Sequence, residues 1–172
     1  WDHILRAFED QLPEDAAAHQ RLQDRLADLS LDILPGFWDQ QAADNIAGQS
    51  YVLEDNQMGL TKVEFAVEDQ SLLITVHGQG VITTTKCGFG HYLEHPNDWE
   101  GLVLACSTWK DPNTLITLTR AVETPFSRVL TMRFSDDELV LDMKQNCNFG
   151  PLEYPTMKGH LVGRNQNAGT VG

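Results

Sequence analysis

The hydrophobic pattern of this chain changes period once. Trp1, Ile4, Leu5 and Phe8 stand at the spacing of one helical face, with Asp2, Arg6, Glu9 and Asp10 elsewhere. Pro13 then breaks or restarts the helix, and Glu14 and Asp15 suit the positive end of a helix dipole. Ala18, Leu22, Leu26 and Leu29 give a second helix its apolar stripe, which Pro35-Gly36 ends. Residues 37–48 read as a connection with at most one helical turn. From Gly48 onward the apolar positions alternate with a period of two, the signature of half-buried strands.

Strands are predicted at Gln49 to Glu54, Lys62 to Val67, Leu72 to His77, Val81 to Lys86, Gly101 to Trp109, Thr114 to Val122, Arg128 to Phe134, Leu139 to Lys144 and Thr156 to Val162. Gly, Asn and Asp at Asp55-Asn56, Gly59, Gly78, Gly80 and Asp136-Asp137 supply the turns. His95 to Asp98 reads as a loop. Gly101 to Trp109 is apolar on both faces, which predicts a central strand. In the strand from Arg128, the side chains of Leu130, Met132 and Phe134 oppose Arg128, Thr131 and Arg133 to first approximation. Eight or nine short strands joined by tight turns imply an antiparallel sheet, and closure would remove its edges. The predicted fold is mainly β: an antiparallel up-and-down, lipocalin-like barrel preceded by one or two short α-helices. Its expected division is a helical lead-in over residues 1–47, the barrel over 48–163 and a frayed tail over 164–172.

Composition narrows the function classes. A net charge of −13 over 172 residues argues against nucleic acid and anionic membrane surfaces as partners. No apolar run is long enough to cross a membrane, and no secretory signal is present. Residues 1–44 hold ten acidic and three basic residues, so the helical lead-in is the more acidic part. Cys87, Cys106 and Cys147 lack the spacing of a disulfide framework and read as reduced thiols, which favours a cytoplasmic location. The opening at Trp1, inside a helical pattern and without an initiator Met, suggests a fragment or a processed product.

Certain stretches carry a family resemblance. Gly48 to Asn56, Ser107 to Asp111, Glu123 to Phe126, the Phe134 to Asp137 turn, Phe149-Gly150 and Gly159 resemble the C-terminal domain of bacterial β-lactamase-related, penicillin-binding-protein-like serine hydrolases. Trp1 to Leu5 and the Ala- and Leu-rich helix ending near Leu31 resemble the segment that joins the catalytic domain to that barrel. The resemblance implies a catalytic domain upstream and a non-catalytic accessory role for this chain. Its partner would be that catalytic domain or a second copy, with Trp1, Ile4, Leu5 and Phe8 as part of the contact. The family acts through Ser-x-x-Lys, a Tyr-x-Asn motif and a Lys-Thr-Gly strand.

Ser107-Thr108-Trp109-Lys110 matches the first motif literally. The chemistry needs Ser and Lys one helical turn apart, and here they fall on a strand that points them to opposite faces. Lys86-Cys87-Gly88 mimics the third motif in the wrong order. No catalytic residue, metal ligand or cofactor is therefore assigned. His91 and His95, four apart, lack a third ligand and read as loop histidines. The alternative function is an independent barrel that binds one small apolar molecule. Tyr51, Phe65, Trp99, Trp109, Met132 and Phe134 either line such a space or fill it themselves, and the side-chain volumes of a small barrel favour filling.

Overall fold

The structure, a computed structural model, describes residues 14–97 and 101–164. The chain divides into two compact units, residues 1–32 and 33–172. The first unit contains α1 (Ala16–Ala27). Asp15 caps this helix by accepting the Ala18 N–H at 2.8 Å. None of its residues is buried, and Leu22 and Leu26 of the predicted stripe are exposed. Trp1, Ile4, Leu5 and Phe8 lie outside the described residues, as do Trp99 and the tail beyond Arg164.

The second unit carries α2 (Gln40–Ile46), two turns of helix where the sequence suggested a connection with room for one. Ten strands follow: β1 (Gln49–Leu53), β2 (Leu60–Glu68), β3 (Ser71–Gly78), β4 (Val81–Phe89), β5 (Leu93–Asn97), β6 (Gly101–Asp111), β7 (Thr114–Ala121), β8 (Ser127–Ser135), β9 (Glu138–Gln145) and β10 (Met157–Arg164). Their order is β4-β3-β2-β1-β10-β9-β8-β7-β6-β5, and β4 also pairs with β6. That last pairing closes a ring of nine strands, with β5 added along the free length of β6.

The barrel is thus the predicted one with two corrections. The closing β4–β6 contact, Gly88 to Cys106 and Phe89 to Ser107, is parallel. The predicted loop at His95 is strand β5, with His95 opposite Val103 and Pro96 opposite Leu102. Proline is tolerated there because β5 is hydrogen-bonded to β6 alone. The remaining edge of β6 is covered by Phe37, which exchanges backbone hydrogen bonds with Trp109 at 3.0 and 3.1 Å. Both faces of β6 are consequently buried from Ala105 to Trp109.

Tight turns hold the register. Asp69-Gln70 and Gln79-Gly80 have positive φ at both residues, the twist a two-residue hairpin requires. Gly159 on β10 is needed for another reason. A Cβ there would stand 2.8 Å from Leu53 Cδ2 and 3.0 Å from the Val52 carbonyl oxygen.

Candidate functional site

Paired residues on neighbouring strands point to the same face, so the register defines the inward rows. One row joins Trp109, Leu115, Met132, Leu141 and Met157. A second joins Ser107, Thr117, Leu130 and Met143. A third joins Ala105, Thr119, Arg128 and Gln145. On the other side of the ring, Tyr51 faces inward beside Val63, Val76 and Thr83, while Phe65 stands beside Ile74 and Thr85.

The two walls differ in bulk. Tyr51, Phe65, Met132, Leu139, Leu141 and Met143 form a continuous buried apolar cluster, with Phe134 packed against it. Its aromatic rings touch edge to face or tilted. Phe65 and Phe134 are 5.4 Å apart, Tyr51 lies 6.0 Å from each, and Trp109 lies 6.2 Å from Phe134. The adjoining strands β4, β6 and β7 instead present small groups: Thr83, Thr85, Ala105, Ser107, Thr117 and Thr119. Thr83, Thr85, Thr119, Arg128, Leu130 and Gln145 are only half-buried although they face inward. These residues lie toward the barrel end at which β8 begins, the end away from α2.

Helix α2 covers the other end. Asp39 caps it by accepting the Ala42 N–H at 2.9 Å, and Ala42, Ala43 and Ile46 are buried. Gln49 ties it to β1 by donating to the Asn45 carbonyl at 2.7 Å and accepting from the Tyr51 hydroxyl. The Gly48 N–H, at φ 75°, donates to the Phe65 carbonyl at 2.8 Å.

Ser107 and Thr117 share a hydroxyl hydrogen bond of 2.9 Å. Burial pushes the inward Cys87 thiol up to about 12 even though Ser107 hydrogen-bonds to it, so it is no nucleophile near neutrality. Trp109 is 1% exposed, and among the described residues its indole N–H has no partner. His95, opposite Val103 and so inward, also has both ring nitrogens buried without a partner among the described residues. Burial holds its pKa below the ordinary value. The reading of His95 as a surface-loop histidine is corrected accordingly.

Five of the six predicted interior residues, Tyr51, Phe65, Trp109, Met132 and Phe134, therefore come together. The sixth, Trp99, lies outside the described residues. The sequence pattern sets Arg128 with Thr131 and Arg133, but parity and register place it with Leu130 on the inward side. Strict counting along β8 finds it. The motif-like Ser107 points inward to Thr117, while Lys110 is exposed. Among the described residues, no group of three His, Cys, Asp or Glu side chains is placed to hold a metal, and no helix is long and apolar enough to cross a membrane.

An outer pocket of about 410 Å³ lies across β8, β9 and the segment before β10, lined in part by Thr131, Asp142, Lys144, Glu153 and Thr156. Its charges are already matched. Arg133 pairs with Asp142 and Lys144 with Glu153, each at 2.6 Å, and Thr156 donates to Asp142 at 2.6 Å. Burial pushes the Asp142 carboxyl up, but the Thr156 and Arg133 hydrogen bonds outweigh it and hold it below the usual range.

No protein-family model and no curated protein matches the chain. Solved structures do match. The fatty acid-binding protein of Drosophila melanogaster brain tissue aligns with a TM-score of 0.51 and 14% identity, over 68% of this chain and 99% of that one. The fold is a lipocalin-like β-barrel, the architecture of that protein. The Schistosoma mansoni fatty acid binding protein in complex with arachidonic acid gives 0.51 at 10% identity, over 70% of this chain and 96% of its own. A secretory abundant heat soluble protein from Ramazzottius varieornatus gives 0.51 at 8%, over 67% and 92%. Identities this low establish the architecture alone.

Proposed function

We propose that this chain binds one small amphipathic molecule of the fatty-acid class inside the barrel. The observation that carries the reading is that Thr83 and Thr85 on β4, and Thr119 and Arg128 of the Ala105 row, face inward yet are only half-buried. The acyl chain lies along this wall against the bulky face opposite. The guanidinium of Arg128, always charged, faces the carboxylate. The fatty-acid-binding proteins of the same fold support the choice of ligand class. Titration of delipidated protein with dodecanoate, followed by calorimetry, tests it. One molecule bound per chain, with affinity about tenfold lower in Arg128→Gln, is expected. Absence of saturable heat in the wild-type protein would overturn it.

A second reading keeps the hydrolase resemblance, in which the chain is a non-catalytic accessory barrel of a larger serine hydrolase. The exposed Leu22 and Leu26 of α1 favour it, since such a stripe suits packing on another domain. Detection of the native gene product by antibody tests it. A product much larger than 19.3 kDa that reacts with a serine-directed probe supports this reading, and one of 19.3 kDa overturns it.

A further inference from the structure

We infer that the loop tips at the barrel end where β8 begins dock this chain on a neutral lipid surface. The inference rests on the reading of the barrel as a fatty-acid site and names the surface from which that site is filled. Residues 122–126, between β7 and β8, and residues 146–152, after β9, both lie at this end beside Arg128, since Arg120 pairs with Ser127 and Arg128 with Gln145. The two loops form one unit. The Asn146 side-chain amide donates to the Pro125 carbonyl at 2.7 Å, and its oxygen accepts the Ser127 N–H at 2.7 Å. The Cys147 thiol reaches the same Pro125 carbonyl at 3.6 Å. On this unit Phe149 is fully exposed, and Val122, Phe126 and Leu152 are exposed as well.

Charge and area select the occupant. Residues 146–152 carry no charge, and 122–126 carry only Glu123. The opposite end of the barrel is acidic. Glu68 and Asp69 at the β2–β3 turn, Asp111 at the end of β6, and Asp136, Asp137 and Glu138 between β8 and β9 are all exposed there. A net charge of −13 repels the chain from anionic lipids. On a neutral bilayer the same polarity keeps the acidic end in water and the uncharged loops at the interface. The four apolar side chains expose on the order of 400 Å², taking an aromatic ring at about 200 Å². A stable protein interface buries roughly 800 Å² on each partner, so the patch is too small to hold a second copy. Shallow burial of a few apolar side chains in the headgroup region needs no such area. An amphipathic ligand lying in that interface meets Arg128 and the half-buried Thr119 at the same end of the barrel.

The experiment floats the full chain with phosphatidylcholine vesicles and follows dodecanoate binding in parallel by calorimetry. The wild-type protein is expected to float with the vesicles. Phe149→Ala is expected to lower its partition about tenfold while dodecanoate binds as before. Phe149 is fully exposed, so its truncation leaves the packed barrel untouched. Val162→Ala, an exposed position on β10 toward the α2 end, should float like the wild type. No flotation of the wild type, or an equal loss in both variants, overturns lipid docking and leaves the fatty-acid reading standing. A concentration-dependent dimer that Phe149→Ala abolishes, without flotation, overturns it in favour of a second copy. Flotation that Phe149→Ala weakens, in a protein that binds no dodecanoate, supports the docking loops and overturns the reading of the interior.

Discussion

Some single residues in this barrel have little freedom. A Cβ on Gly36 would stand 2.0 Å from Thr108 Oγ1 and 2.7 Å from the Trp109 carbonyl oxygen. The segment that covers the open edge of β6 would have to lift. Gly36→Ala should therefore lower stability by about 1–3 kcal/mol, read as a lower urea midpoint. A midpoint unchanged from wild type would show that the Phe37–Trp109 bridge is not needed. Glu64 on the outer face of β2 is a different case. Lys62 hydrogen-bonds to it, His77 and Ser50 add to this, and burial opposes them; the net effect is a carboxyl pulled from 4.5 down to about 2. A group whose pKa is depressed by folding contributes its stability above the unfolded value and loses it as pH falls toward the folded one. Thermal unfolding should therefore show a loss between about pH 4.5 and 2 that Glu64→Gln reduces. An identical pH profile in the variant would remove the Glu64 cluster from the account.

At the scale of elements, α2 is the least self-sufficient part. It has seven residues, too few to be stable alone, and depends on the Asp39 cap and on Ala42, Ala43 and Ile46 packing into the core. Asp39→Ala should cost about 1 kcal/mol and speed amide exchange in 40–46 while the strands keep their protection. Uniformly faster exchange across the barrel would instead make α2 part of one cooperative unit with it. The same brevity explains why α2 and β5 were hard to read. Seven residues give two helical turns and no clear periodic stripe. Leu93 to Asn97 contains Pro96 and His95, which read as loop, and only the free edge of β6 makes them a strand. The long alternating strands were legible because one face of each must enter the core.

For the whole molecule, the sequence carried the barrel and the cluster of Tyr51, Phe65, Trp109, Met132 and Phe134, since large alternating apolar residues have one place to go. It did not carry the wall of small residues. Thr83, Thr85, Ala105, Ser107, Thr117 and Thr119 acquire meaning only when β4, β6 and β7 lie side by side, and the parallel closure of β4 on β6 has no local signal. Arg128 is legible from parity with Leu130, Met132 and Phe134, although its charge argues for the outer face. The proposed ligand lies against that wall. Chemical-shift mapping of the delipidated protein titrated with dodecanoate tests it most directly. Shifts are expected to concentrate at Thr83, Thr85, Ala105, Thr117, Thr119 and Arg128, with Thr131 and Lys144 on the outer face unmoved. Shifts confined to the outer face, or none at saturating ligand, would contradict it and leave the barrel a filled structural module.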